Sequence, residues 1–308
     1  MIKELITKAN TIGVISHINP DADNLGSLTA LSTSLRLLGK KVISICIDTI
    51  PYNLQFLHGV ENLTDDYDVD LDILFILDCS SVDRLGHASS LIEKSDIVIN
   101  IDHHISNNIE ADYSIIEVTA SSTGEVLFKF LKEIELPIDV NVGESLLTAI
   151  SGDSGSFRYD TVSSETFMIA SELMDIGVDN KKINNNLYSM NRMSKVQMLG
   201  LAIERLKIIP KKKLGITYIL LDDFEELGAA DADVEGIVEY IRDIDGIEIA
   251  ILLRQNQVGF KASTRSKNYF DVSDLSLKFG GGGHIRAAGF TIRNTDLKEA
   301  IEEILEKI

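Results

Sequence analysis

Thr11-Ile12-Gly13-Val14-Ile15-Ser16, followed at once by His17-Ile18-Asn19-Pro20-Asp21-Ala22-Asp23, is an apolar run that ends in a burst of polar groups. The run is β-branched or apolar at nearly every position, the pattern of a strand covered on both faces. Asn24–Leu38 comes next, with Leu25, Leu28, Leu31, Leu35 and Leu38 at helical spacing and Gly39 as a C-terminal stop. Lys41–Ile47 then repeats the apolar, β-branched pattern. Strand, helix and strand in succession make a βαβ unit, hence a mostly parallel sheet. Asp72–Leu77 and Asp96–Ile101 add two strands of the same kind, and helical patterns dominate from Ser121 to Leu187. The front half therefore reads as an α/β domain whose mostly parallel sheet is flanked by helices.

The pattern changes near residue 190. Residues 190–208 read as one helix, broken by Pro210 and followed by the charge run Lys211–Lys213. Beyond it come a strand (Leu214–Leu221), a helix (Ala232–Ile244), two strands (Glu248–Arg254 and Val258–Ser263), a strand around Gly289–Ile292 and a closing helix (Leu297–Ile308). The expected organisation is a domain over 1–189, a helical linker over 190–210 and a smaller α/β domain over 211–308.

Composition agrees with two domains. At about 150 residues per domain, the 308-residue chain has room for both, and its 44% of hydrophobic residues suffices to bury a core. No apolar run approaches the roughly 18 residues that span a bilayer. The apolar stretch at Thr11 meets His17 and Asp21 too soon to be a secretory leader. Cys46 and Cys79 are too few for a disulfide framework. A cytoplasmic protein without membrane contact is expected. The net charge of −19 opposes a role on duplex DNA, which needs a broad basic face. Residues 1–188 carry 29 acidic and 12 basic side chains, whereas residues 189–308 carry 19 and 17. An acidic front half can hold cations; a nearly balanced back half can offer local basic pockets to anions.

Each front-half strand delivers polar groups at the same edge. His17, Asp21 and Asp23 follow the first, Asp78 follows Ile73–Leu77, and Asp102, His103 and His104 end the fourth. Open α/β sheets bind ligands at the carboxyl ends of their strands. A helix N-cap accounts for one acid of the first cluster, not for His17 and Asp21 as well. Buried acids without countercharge are costly, so a cation is the simple explanation. Asp153, within Ser151-Gly152-Asp153-Ser154-Gly155-Ser156-Phe157, adds one acid in a loop of small residues. The donors are carboxylate and imidazole with no thiolate, a set that suits Mn2+, Mg2+ or Zn2+. They suffice for two ions if one carboxylate bridges, and two ions about 3.5–4 Å apart are a device for phosphoryl transfer. His58 and His87 read as surface residues.

In the back half, Phe279 precedes Gly280-Gly281-Gly282-Gly283-His284-Ile285-Arg286. Four successive glycines let a backbone approach a ligand, and their N–H groups can form an anion nest; the plain alternative is a flexible hairpin. His284 and Arg286 add donors, and Thr264-Arg265-Ser266-Lys267 lies upstream. Residues 250–290 hold six basic side chains against two acidic ones, His284 aside.

Taken in order, these motifs resemble a family. His17-x-Asn19-Pro20-Asp21-x-Asp23-x-x-Gly26-Ser27, the strand-end Asp78, Asp102-His103-His104 and Gly152-Asp153-Ser154-Gly155-x-Phe157 resemble the motifs of the DHH phosphoesterases. Gly280–His284 resembles the signature of the associated DHHA1 substrate-binding domain. Ala22 stands where the family often has Gly, and Ser154 where Thr is usual; neither change removes a ligand. The most similar members are short two-domain enzymes, nanoRNases that also dephosphorylate 3′-phosphoadenosine 5′-phosphate and enzymes that cleave linear di-adenylate.

The resemblance implies one ion on His17, Asp21 and Asp78 and a second on Asp23, Asp78, His103 and Asp153, with Asp78 bridging. It implies His104 facing the scissile phosphate, Asp102 supporting from behind, and Arg265, Ser266, Gly281, Gly282, Gly283, His284 and Arg286 holding the substrate's other phosphate or nucleotide. The expected activity is hydrolysis of very short single-stranded oligonucleotides or dinucleotides to 5′-mononucleotides, and of 3′-phosphoadenosine 5′-phosphate, by water activated between two Mn2+ ions; Mg2+ or Co2+ is the alternative metal. A homodimer is the oligomer kept open. An inorganic-pyrophosphatase-like hydrolase and a non-hydrolytic dinucleotide sensor are the competing readings. The first does not call for a glycine-rich, nucleotide-sized pocket, and the second is marked by a lost metal ligand, of which there is none.

Overall fold

In the computed structural model, which describes residues 1–308, helix α1 (Ile2–Lys8) leads into strand β1 (Thr11–Ser16), helix α2 (Ala22–Leu37) and strand β2 (Lys41–Ile45). Strands β3 (Leu63–Thr64), β4 (Ile73–Leu77), β5 (Val98–Asp102) and β6 (Tyr113–Ile116) complete an all-parallel sheet in the order β3-β2-β1-β4-β5-β6. The order reverses between β1 and β4, so the loops leaving these two strands diverge and open a crevice at their carboxyl ends. All five residues of β4 are buried: Ile73, Phe75 and Leu77 face one apolar layer, Leu74 and Ile76 the other. The first layer comes from α2, α3 (Thr123–Glu133), α4 (Val140–Asp153) and α5 (Ser164–Asp175); the second includes Leu85, Ala88 and Leu91 from the tight turns of Val82–Leu91. Helix α6 (Asn180–Asn184) and a single π turn, Asn185–Ser189, finish this compact unit, which ends at Met190.

Three helices meet closely in the first layer. A Cβ on Gly26 of α2 would lie 2.6 Å from the Ser145 carbonyl oxygen, and one on Gly124 of α3 would lie 2.5 Å from Ala149 Cβ. Glycine at both positions lets α2 and α3 close on α4, which gathers Asp23, Thr123 and Asp153 at adjoining helix ends.

The second unit, Asn191–Ile308, opens with α7 (Met193–Glu204), β7 (Lys207–Ile209), β8 (Leu214–Ile219), α8 (Leu221–Leu227) and α9 (Ile237–Asp243). It continues through β9 (Ile249–Asn256), β10 (Gly259–Ser266), α10 (Val272–Leu277), β11 (Gly282–His284), β12 (Ala287–Arg293) and α11 (Leu297–Lys307). The sheet order is β11-β12-β10-β9-β8-β7, with only β8 and β9 parallel. One face packs against α10 and α11, and α7 and α9 pack on the other.

Two expected helices divide. The stretch 190–208 is helical only to Glu204, because Lys207–Ile209 pairs with β8 and Pro210 favours an extended residue before it. Ala232–Ile244 breaks at Gly236, which adopts φ +84°, so only Ile237–Asp243 continues as α-helix. No helix is long and apolar enough to cross a membrane.

Candidate metal centre

The switch point collects the front-half polar groups. His17 Nε2 lies 3.3 Å from Asp78 Oδ2 and 3.7 Å from Asp21 Oδ2. His103 Nε2 lies 3.2 Å from Asp153 Oδ2, 3.8 Å from Asp23 Oδ2 and 3.9 Å from Asp78 Oδ1. Asp78 thus belongs to both groups. It ends β4 in a left-handed conformation, φ +51°, a backbone cost that a side chain turned to a site explains. Asp23, Asp78 and Asp102 are buried floor, while the Asp21 and Asp153 side chains are 57% and 40% exposed and mark the open side.

Each histidine is aimed by its other nitrogen. Nδ1 of His17 donates to the Ile18 carbonyl at 2.6 Å, Nδ1 of His103 faces the Ala120 carbonyl at 3.3 Å, and Nδ1 of His104 meets Asp102 Oδ1 at 2.7 Å. Such partners fix ring orientation and leave Nε2 as the ligating atom in His17 and His103. His103 Nε2 is buried, yet it makes no hydrogen bond to any of the three carboxylates around it. An orphaned nitrogen facing convergent oxygens fits a divalent cation, and within 4.8 Å of one another lie the donor groups His17/Asp21/Asp78 and Asp23/His103/Asp153.

The electrostatics agree. Burial raises the Asp23 carboxyl well above its usual range, and the Asp78 and Asp153 carboxylates push it further. Burial would also raise Asp78, but the hydrogen bond from His17 and the charges of His17, His104 and His103 hold it below the ordinary carboxylate range. Burial disfavours the His103 imidazolium; the carboxylates of Asp153, Asp23 and Asp78 outweigh it and lift the ring to about 10. Without a cation, protons balance the carboxylates.

Several members of the site are not legible from their own neighbourhoods. Thr123 Oγ1 donates to Asp78 at 3.0 Å, and the Thr123 and Gly124 N–H groups donate to the two Asp23 oxygens at 2.6 and 2.9 Å. Asn107 Nδ2 donates to Asp102 Oδ2 at 2.6 Å and to the Cys79 carbonyl at 3.0 Å, while its oxygen accepts from Asn100 at 3.0 Å. Ser121-Ser122-Thr123-Gly124-Glu125 carries a helix-start signal, Ser122 capping Glu125 N–H, and nothing that points to Asp23.

In the second unit the expected substrate residues are dispersed. Arg265, on β10, bonds Glu239 through Nε at 2.8 Å; Arg286, in the turn between β11 and β12, bonds the Phe270 carbonyl at 2.8 Å. Ser266 is buried beside the Ile285 carbonyl. Gly280 and Gly281 donate their N–H groups to Leu277 and Ser276 at the end of α10, so a four-glycine anion nest does not form. Gly282, Gly283 and His284 instead form β11, paired antiparallel with β12.

Fold and site together define the class. Residues 11–150 match the DHH family N-terminal domain and residues 211–308 match the DHHA1 domain. The chain belongs to the DHH/DHHA1 family of phosphoesterases. Among its relatives is the bifunctional oligoribonuclease and PAP phosphatase NrnA of Thermus thermophilus, 27% identical over 299 residues, covering 96% of this chain and 89% of that one. An exopolyphosphatase-related protein from Bacteroides fragilis shares the fold with a TM-score of 0.93 at 25% identity, covering 99% and 94% of the two chains. RecJ of Thermus thermophilus, solved with Mn2+, shares it with a TM-score of 0.55 at 14% identity over 99% of this chain and 53% of RecJ.

Proposed function

We propose that this protein is a divalent-cation-dependent phosphoesterase that hydrolyses very short single-stranded oligonucleotides, such as pApA, to 5′-mononucleotides, and 3′-phosphoadenosine 5′-phosphate to AMP. The observation that carries the reading is the orphaned His103 Nε2 among the oxygens of Asp23, Asp78 and Asp153, with His17 and Asp21 sharing Asp78. Two ions, Mn2+ in this reading, would be held by His17, Asp21 and Asp78 and by Asp23, Asp78, His103 and Asp153. When bound, they supply the Lewis acidity that activates water and offsets charge on the phosphoryl oxygens.

The chain supplies the rest. His104, its ring held by Nδ1 on Asp102, would donate to a phosphoryl oxygen as charge develops. Asn107 pins Asp102 and so fixes that ring. Asp21 and Asp153, the exposed ligands, set the direction from which a phosphate arrives. Residues 1–189 would do the chemistry and residues 211–308 select the substrate, through Arg265 and His284 on one sheet face and Arg286 beyond it. The name of the Thermus relative supports both substrates.

A chromatographic assay in Mn2+ across pApA, longer oligonucleotides, 3′-phosphoadenosine 5′-phosphate and pyrophosphate tests this. AMP released from pApA is the expected product. Hydrolysis of pyrophosphate with pApA untouched would replace the reading with a pyrophosphatase-like one, and pApA bound but intact would make the protein a sensor.

A further inference from the structure

His103 leans on a peptide group. Its Nδ1 donates to the Ala120 carbonyl at 3.3 Å, and the N–H of that same peptide unit, on Ser121, donates to Glu125 Oε2 at 3.3 Å. A peptide unit is planar, so its carbonyl and its N–H cannot turn independently. Whatever holds the Ser121 N–H therefore also sets where the Ala120 carbonyl points. Glu125 Oε2 grips Ser121 a second time through its hydroxyl, at 2.6 Å, and is itself tied to α5 by the Thr166 hydroxyl at 2.8 Å.

Ala120, Ser121, Glu125 and Thr166 are each at most 2% exposed. A carboxylate buried among them is costly, and the helix that carries it does not call for it. The first three N–H groups of α3 already have acceptors: Thr123 and Gly124 donate to Asp23, and Glu125 donates to the Ser122 hydroxyl. A glutamate at the third position of a helix commonly reaches back to the N-cap N–H. Here it passes the N-cap, Ser122, and takes Ser121 instead. Lys129 gives Oε1 a countercharge at 3.9 Å but lies closer to Glu165, at 3.1 Å. The short contacts of this carboxylate thus go to the loop that aims His103 and to α5.

The other two rings are aimed differently. His17 uses the carbonyl of the next residue, and His104 meets Asp102 directly. His103 has a carbonyl and a carboxylate in series.

We infer, resting on the two-ion centre proposed above, that Glu125 is a positioning residue for His103. Acting through the Ala120–Ser121 peptide, it fixes the imidazole ring and strengthens Nε2 as a donor to the cation shared with Asp23 and Asp153. Hydrogen bonds in series polarise and reinforce one another, and a partner behind a ligating histidine is worth roughly 10- to 100-fold in metal affinity. The ion on His17 and Asp21 does not depend on Glu125.

Mn2+ alone is the probe. Free Mn2+ in equilibrium with the full-length chain, read by electron paramagnetic resonance, should give two dissociation constants for wild type. In Glu125→Gln, which keeps the size and one oxygen acceptor, one constant should rise about tenfold while the other holds. Ser121→Ala removes only the hydroxyl contact and should raise the same constant by a smaller factor, which keeps the test alive if Glu125→Gln does not fold. In a His103→Ala chain titrated at high Mn2+, Glu125→Gln should add no further loss. Unchanged constants in these variants, a loss spread equally over both ions, or an undiminished loss in the His103→Ala background would each overturn the inference. A wild-type chain that takes up no Mn2+ would instead refute the two-ion centre itself.

Discussion

The two sheets carry charge in opposite ways. At the edge of the first, Asp23, Asp78 and Asp102 are buried among three histidines, each ring fixed by a partner on Nδ1. On the second, Lys261 and Arg293 stand in solvent over glycines. A buried charge is tolerated only while its partners or a cation compensate it, so one deletion unbalances the whole set. Exposed charges act through water and salt, so each loss is small and graded. The first site should fail abruptly, and the second should fade.

The largest effect belongs to Asp78. Asp78→Asn preserves shape but removes the charge shared by both donor groups, and turnover should fall by at least about 10³-fold. Near wild-type turnover in saturating Mn2+ would show that Asp78 is not the common ligand. Next come the adjacent histidines. His103→Ala should lose bound metal and be partly rescued by high Mn2+, whereas His104→Ala should keep its metal and lose about 10²-fold in kcat. Equal metal loss in both variants, by elemental analysis, would erase the distinction drawn from their Nδ1 partners.

Asn107→Ala should cost less, about 10-fold in kcat, because Asp102 keeps His104 but loses its own anchor. The pH profile of this variant should shift relative to wild type, and an unshifted profile with reduced kcat would indicate a packing defect instead.

The smallest effect is on stability. In metal-free protein the raised His103, lifted to about 10, stabilises the fold fully below its unfolded value of 6.5 and loses that contribution as pH climbs toward 10. Asp23, raised by burial and neighbouring carboxylates, has the same sign, costing stability as pH rises above 3.8. Asp78, held low, contributes above 3.8 and is lost only on acidification. The melting temperature of metal-free protein should therefore decline by a few degrees between pH 6.5 and 10, and saturating Mn2+, which replaces the protons, should flatten that decline. A rise over the same interval would contradict the assignment of a proton to His103.

The first sheet was readable because its information is local: an apolar strand and the polar residues right after it lie together in sequence and in space. His17, Asp78 and His103 are each one step past a strand. Thr123 and Gly124 were not readable, since they reach Asp23 across 100 residues through helix packing that turns on Gly26, Gly124 and Ala149. The second sheet was read in outline only. Arg265 and Arg286 both read as substrate donors, but Arg265 on β10 ends on Glu239, whereas Arg286, in the turn between β11 and β12, ends on the Phe270 carbonyl. The glycine run looked like one element, and the structure uses it as a helix stop followed by a strand.

One consequence reaches beyond catalysis. Asp23 holds the first two amides of α3, so the same carboxylate that would ligate a cation also anchors the start of that helix. Occupancy at the sheet edge is therefore coupled to fraying of α3. The amide hydrogens of Thr123 and Gly124 should exchange slowly or quickly with solvent according to what Asp23 is holding, which makes them a built-in gauge of the centre, readable without any substrate turning over.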